Sequence, residues 1–430
     1  MTLAAEPSAQ ERGECPFPAA PTSVPETTGS SLTHLTVHYD PLSFAAFDHP
    51  YDLYRRLRDE APVYYNADRD LYVVSRYDDV QAGLKNHEQM VNAFGNDIDG
   101  THDSYGSGNL VAQDPPRHTA LRASVRRVFA AREILAKEDG LRKFSHILLG
   151  QMHDNGGGDF TAEFALPLAI AAATNLVGLP ADDNAMLQDH LWRAMQRTVG
   201  EFGIPDDAAA SNQETEHHID EAVERRRIAI AAGADTAGSD AITQILLGVQ
   251  KGKVEQAEQV GLSHLILSAA IDAPAALITN CVAVLDKFPA LQQHLREHPN
   301  LIGAFVEETL RYDTPGQNLS RQTTAEVIIG DVTIPADSRV MLLLGSANRD
   351  ERVFENPDAF DLGREFTPKT RIMSFGDGIH ACMGSPLARL ATRVAMETLL
   401  AGPSICIVGT PERWVKQMVR GFAVLPVKFS

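Results

Sequence analysis

The sequence predicts a mainly α-helical protein with a small β-rich region, organised as one large domain. Three observations carry this. Apolar residues recur at spacings of three and four over 50–60, 118–129, 142–153, 216–231, 263–288 and 302–312, which is helical periodicity. Strand-like runs are short and confined to 63–65, 72–75, 326–334 and 339–343. From His38 onward no long Pro/Gly/Ser linker and no repeat of solenoid period divides the chain.

Taken in chain order, residues 1–35 are rich in Pro, Ser, Thr and Ala without periodic apolar positions. Such a segment cannot bury enough surface to offset its ordering entropy, so a mobile leader is expected, followed by a single domain over 36–430. The first helix and the paired short strands come next. Between Asn86 and Asp114 the chain is rich in Gly, Asn and Asp, and a long irregular stretch in a compact domain marks a candidate lid. Helices then dominate. The longest, 263–288, contains Pro274, which removes one N–H and presses on the carbonyl of Ala270, so a kink is expected there.

Composition limits the function. Hydrophobic residues at 44% and charged residues at 22% are ordinary for a globular chain. The 57 acidic and 38 basic residues give a net charge of −19, which repels phosphate backbones and anionic headgroups; neither nucleic acid nor membrane is an expected partner. Cys15, Cys281, Cys382 and Cys406 lie too far apart for a CxxC motif, and a reducing cytoplasm fits them. The N-terminus lacks a basic, apolar signal pattern. The longest apolar stretch, 262–278, is interrupted by His264, Asp272 and Pro274, which disfavours a membrane span.

The most informative segment is SFGDGIHACMGSPLAR, residues 374–389. It sets one cysteine among Gly376, Gly378 and Gly384 just before an amphipathic helix. A thiolate is stabilised by backbone N–H groups and a helix N-terminus, and the glycines let a flat ligand approach Cys382. Taken alone, a cysteine beside a turn is more often a buried core residue.

Phe375, Gly378, His380, Cys382 and Gly384 match, position by position, the haem-binding signature of the cytochrome P-450 family. The resemblance extends through HPYDLYRRLRDEAPVYY from His49, RYDDV at 76–80, DPPRHTALR at 114–122, EETLR at 307–311 and GSANRD at 345–350. It implies the P-450 fold, a large helical region beside a smaller β-rich one, in a soluble bacterial member. It also implies haem b (iron protoporphyrin IX), with Cys382 as the iron ligand and Phe375 against the haem or shielding the sulfur.

By the same resemblance His118, Arg122, Arg321 and His380 contact the two haem propionates, whose buried charges require cations or strong donors. Glu308 and Arg311 form the family's ExxR pair, and Arg364 completes a buried cluster holding the cysteine loop, a structural role. In the long helix, LILSAAIDAPAALI aligns with the family pattern of small residues, an acid and an alcohol that together organise proton-delivering waters. Asp272 keeps the acid. Ala270 stands where Gly is common and Ala273 where a hydroxyl residue is usual, which weakens one proton route.

The resemblance implies a monooxygenase that hydroxylates, demethylates or epoxidises a small, mainly apolar organic substrate. Electrons would come from a ferredoxin or flavodoxin with its reductase. Arg122, Arg126 and Arg127 either form a basic docking patch for that donor or are a solvated helix face. Leu110, Val111, Ala269, Ala270, Asn318 and Leu319 are expected to line the pocket, with Phe94, Ile98 and Tyr105 on the lid. Because of Ala273, oxidative coupling, desaturation or peroxide-driven oxidation stays open, as does a haem-based binding or sensing module without turnover.

Overall fold

The computed structural model describes residues 2–3, 37–98, 106–236 and 240–430. The leader expected over 1–35 falls outside these, except that Thr2–Leu3 pairs antiparallel with Phe360–Asp361. Helices form most of the structure around one large apolar core that includes Leu262, Ile278, Leu285, Phe305, Leu387 and Leu399.

At the centre lies the helix Asp272–Lys287, packed against Ser385–Ala401, Ile302–Tyr312 and Leu166–Val177. Residues 274–282 of this helix are buried without a break, with the polar Thr279 and Asn280 hydrogen-bonded, so the helix is covered on every side as a core helix is. The helical stretch 256–287 has the length and composition of a membrane span, but 78% of its apolar window is buried inside the protein. Burial of each large aliphatic side chain here contributes roughly 1.5–3 kcal/mol.

The single helix expected over 263–288 is instead two, Gln259–Ala269 and Asp272–Lys287. Proline is the reason, although the break lies upstream of it. Pro274 has no N–H to donate to the Ala270 carbonyl. The first helix therefore closes with Ala270 and Ile271 donating to the carbonyls of Leu267 and Ser268, each at 3.2 Å, and a second helix restarts at Asp272. Pro274 then occupies the first turn of that helix, where a missing N–H costs nothing.

The β-rich region centres on a mixed sheet in the order Val63–Asn66, Leu71–Val74, Arg339–Leu342, Leu319–Thr323 and Met90–Val91. The β-branched and aromatic residues Val63, Tyr64, Tyr65, Tyr72, Val73 and Val74 suit the Val63–Asn66 and Leu71–Val74 hairpin. The run expected at 326–334 is a second hairpin, Val327–Ile329 with Val332–Ile334, turning at Gly330 with φ 57°. Leu319–Thr323 pairs antiparallel with Arg339–Leu342, placing Arg321 opposite Val340. That pairing fixes the strand that enters the site described next.

Candidate active site

Between the cysteine loop and the broken central helix lies a cavity of about 320 Å3. Phe375, Cys382 and Gly384 line it on one side and Ala269, Ala270, Asp272 and Ala273 on the other.

The loop is shaped from its backbone. Gly376 and Gly378 have φ of 64° and 70°, the left-handed region that disfavours other residues. A Cβ on Gly378 would also lie 2.7 Å from the Leu84 carbonyl. The Cys382 N–H donates to the Phe375 carbonyl at 2.9 Å, closing the loop, and the helix Ser385–Ala401 starts immediately beyond. The sulfur is open to the cavity yet deep in the protein. Burial raises the thiol above its ordinary range, while the N–H groups of Gly384 and Ser385, with Arg122 and Arg389, pull in the opposite direction. Arg389 stacks over the Phe375 ring, 4.5 Å from its centroid.

Beneath the loop, Arg311 makes a bidentate pair with Glu308 at 2.9 and 2.7 Å, and Arg364 Nε adds contacts of 3.1 and 3.2 Å to the same carboxylate. Glu308 and Arg311 are fully enclosed. Arg311 also donates to the carbonyls of Asn348, Pro357 and Ala359. The cluster reaches the cysteine loop through Asn348, whose Oδ1 accepts the Met373 N–H at 2.6 Å.

At the edge of the cavity, His118, Arg122, Arg321 and His380 converge. The His118 and His380 rings lie 4.2 Å apart, and Arg122 Nη2 donates to the Ala381 carbonyl at 2.7 Å. Burial, with His118, Arg321 and Arg122 alongside, pushes His380 down to about 2. Burial and Arg122 lower His118, and burial lowers Arg321 to about 10. Among the described residues, His118 Nε2, His380 Nε2 and Arg321 Nη2 have no hydrogen-bond partner. Two arginines and two neutral imidazoles, with hydrogen-bonding capacity left unused, fit a buried dianionic edge, and a sulfur open to the cavity fits a metal at the centre of a flat ligand. The residues present therefore fit haem.

Comparison with known proteins agrees. A family model described as Cytochrome P450 matches residues 272–402. The putative cytochrome P450 123 of Mycobacterium tuberculosis is 33% identical over 396 residues, covering 90% of this chain and 96% of its own. This chain belongs to the cytochrome P450 family. The cyclomarin C epoxidase CymV of Salinispora arenicola is 30% identical over 351 residues, covering 80% of this P450 and 86% of that enzyme. The structure of CYP109Q5 from Chondromyces apiculatus superposes with a TM-score of 0.80 at 28% identity, covering 92% of this chain and 99% of that one. The fold is the P450 fold, the cofactor is haem, and the enzyme is a monooxygenase, an oxidoreductase.

Leu110, Val111, Asn318 and Leu319, expected in the pocket of this P450, line the cavity, as do Ala269, Ala270 and Ala273 around the helix break. The lid assignment is corrected in part. Phe94 is 51% exposed, and Ile98 packs on the separate cluster around Tyr39 and Leu71; neither lines the cavity. Their neighbours Asn92, Asn96 and Asp97 do line it, and Tyr105 lies outside the described residues.

Sequence reasoning missed Lys416, Met418 and Val419, which enter the cavity wall from the C-terminal segment. Lys416 Nζ lies 2.6 Å from Asp272 Oδ2. In sequence this lysine is one charge in WVKQMV, indistinguishable from a solvated position.

Proposed function

We propose that this P450 holds one haem b with Cys382 as iron ligand and inserts oxygen into a small, mainly apolar organic substrate. Electrons come from a ferredoxin-type partner and its reductase, residues 36–430 act as a single domain, and the setting is cytoplasmic. The observation that carries this is the meeting, in one cavity, of the Cys382 sulfur, the His118–Arg122–Arg321–His380 cluster and an apolar wall from the central helix.

Each residue then has a task. His118, Arg122, Arg321 and His380 bind the propionates, and Phe375 and Gly384 fit against the cofactor and its ligand. Glu308, Arg311 and Arg364 hold the loop in place through Asn348. Bound haem with a thiolate ligand supplies the activation of molecular oxygen. Asp272 holds a proton-delivering group at the cavity wall. Leu110, Val111, Ala269, Ala270, Ala273 and Leu319 exclude water and favour an apolar ligand, with Asn318 as a polar marker. The absent hydroxyl at Ala273 favours a second reading, oxidative coupling, desaturation or peroxide-driven oxidation.

A ligand panel screened for Soret shifts, followed by turnover under labelled oxygen with a ferredoxin and its reductase, separates these. Label in the product supports insertion. Unlabelled coupled or desaturated product supports the second reading, and ligand binding with no product in either the ferredoxin or the peroxide arm overturns both.

A further inference from the structure

The ion pair between Asp272 and Lys416 joins residues 144 positions apart in the sequence. Their side chains are 17% and 8% exposed, and both line the cavity. The two oxygens of the carboxylate are held separately. Oδ2 accepts from Lys416 Nζ at 2.6 Å, and Oδ1 accepts from the Ala273 N–H at 2.7 Å, inside the same first turn. We propose that Lys416 is a positioning residue for the oxidation, fixing the Asp272 carboxylate at the cavity wall in place of the neighbouring hydroxyl that Ala273 does not supply. This rests on the reading of Asp272 as the proton-delivering acid.

The backbone that carries the ammonium is itself clamped. The Met418 carbonyl accepts the Gln317 N–H at 2.9 Å, and the Arg420 N–H donates to the Pro315 carbonyl at 2.8 Å. Asn318 Nδ2 donates to the Gln417 carbonyl at 2.7 Å. The segment following the ExxR helix therefore sets where residues 416–420 lie, and with them the lysine. A nearly buried ammonium in an apolar wall is costly unless paired, so its carboxylate partner is a condition of its being there. The converse also holds. At a helix that restarts at Asp272, with methyl groups at Ala269, Ala270 and Ala273 around it, Lys416 is the side chain among the described residues that donates to this carboxylate. A hydroxyl beside an acid restricts the orientations that the acid can adopt, and a short ammonium contact from a fixed backbone does the same. The lysine transfers no proton in this role.

The test uses holoenzyme carrying Lys416→Met, Lys416→Gln, Lys416→Arg, Asp272→Asn, or Lys416→Met with Asp272→Asn. Carbon monoxide difference spectra set the concentration of intact haem protein. Two readouts are compared: oxygen-dependent consumption of reduced nicotinamide cofactor through a surrogate ferredoxin pair, with its solvent deuterium isotope effect, and the thermal unfolding midpoint. Asp272→Asn and Lys416→Met are each expected to lower consumption about 10-fold or more and to change the isotope effect. The double variant is expected to be no worse than the poorer single, and Lys416→Arg to recover most of the loss. Lys416→Gln is expected to fall with Lys416→Met and serves in its place should the methionine variant not fold. If Asp272→Asn lowers consumption while the Lys416 variants shift only the unfolding midpoint, Lys416 is a structural staple and the proposal fails alone. If Asp272→Asn changes neither consumption nor isotope effect, the reading of Asp272 fails, and the proposal with it.

Discussion

Asn348 Nδ2 donates to Ser374 Oγ at 2.8 Å, joining the segment after the Arg339–Leu342 strand to the start of the cysteine loop. The same amide donates to Thr314 Oγ1, and its Oδ1 takes the Met373 N–H. Ser374 Oγ in turn donates to the Leu310 carbonyl at 2.6 Å. One buried side chain therefore couples the ExxR helix to the loop that presents Cys382.

Asn348→Ala strands several buried polar groups, each costing about 1–3 kcal/mol when left unpaired. The expected outcome is a lower unfolding midpoint and faster haem loss, both measurable by absorbance. Arg311→Ala is more severe, because it removes the bidentate partner of buried Glu308 and leaves Arg364 as its remaining cation; breaking such a buried pair costs up to roughly 3–5 kcal/mol.

Truncating Arg122 or Arg321 is expected to weaken haem retention by about 1–3 kcal/mol, the range for charge-assisted hydrogen bonds. Haem transfer to an excess of apomyoglobin measures it. Unchanged transfer rates in both variants would remove these arginines from the propionate set.

Asp313 carries an acid-dependent part of the stability. Burial would raise its carboxyl, but Arg420 and Arg413 outweigh burial and hold it well below the usual range, with Arg420 Nε at 2.7 Å and Tyr51 Oη at 2.9 Å. Its folded value lies below its unfolded value of about 3.9, so its contribution is fully present above that pH and is lost as pH falls toward the folded value. The stability gap between the wild type and Asp313→Asn, measured by urea unfolding, should therefore shrink progressively below about pH 4. A gap independent of pH would contradict this.

Restoring the hydroxyl with Ala273→Thr is expected to preserve or raise the fraction of electrons ending in product, read as product per reduced cofactor with peroxide release alongside. The existing clamp on Asp272 makes a large gain unnecessary. A collapse of coupling would show that the added side chain displaces the ligand or disrupts the acid.

What the sequence made legible was chemistry concentrated in short segments. The 374–389 loop, the Glu308–Arg311 spacing and the apolar run of the central helix each hold their information within a few turns of chain. The disturbance at Ala270 falls where the kink was expected, because a missing N–H is felt at the carbonyl four residues earlier, but the helix stops there and restarts at Asp272 where one bent helix was expected. Lys416 and Asn348 were illegible as partners. Their bonds cross long stretches of sequence, and nothing local marks a lysine in an apolar segment as buried. The strands Leu319–Thr323 and Pro426–Phe429 were missed for a related reason: pairing with distant segments, and not their own alternation, makes them strands.

The central claim is that Cys382 is the thiolate ligand of the haem. Cys281 is the internal control, a fully buried thiol raised by its burial. The decisive measurement is the spectrum of the reduced protein under carbon monoxide. The far-red Soret band of thiolate ligation should persist in Cys281→Ala and disappear in Cys382→Ala; a band retained in Cys382→Ala and abolished in Cys281→Ala would contradict the assignment.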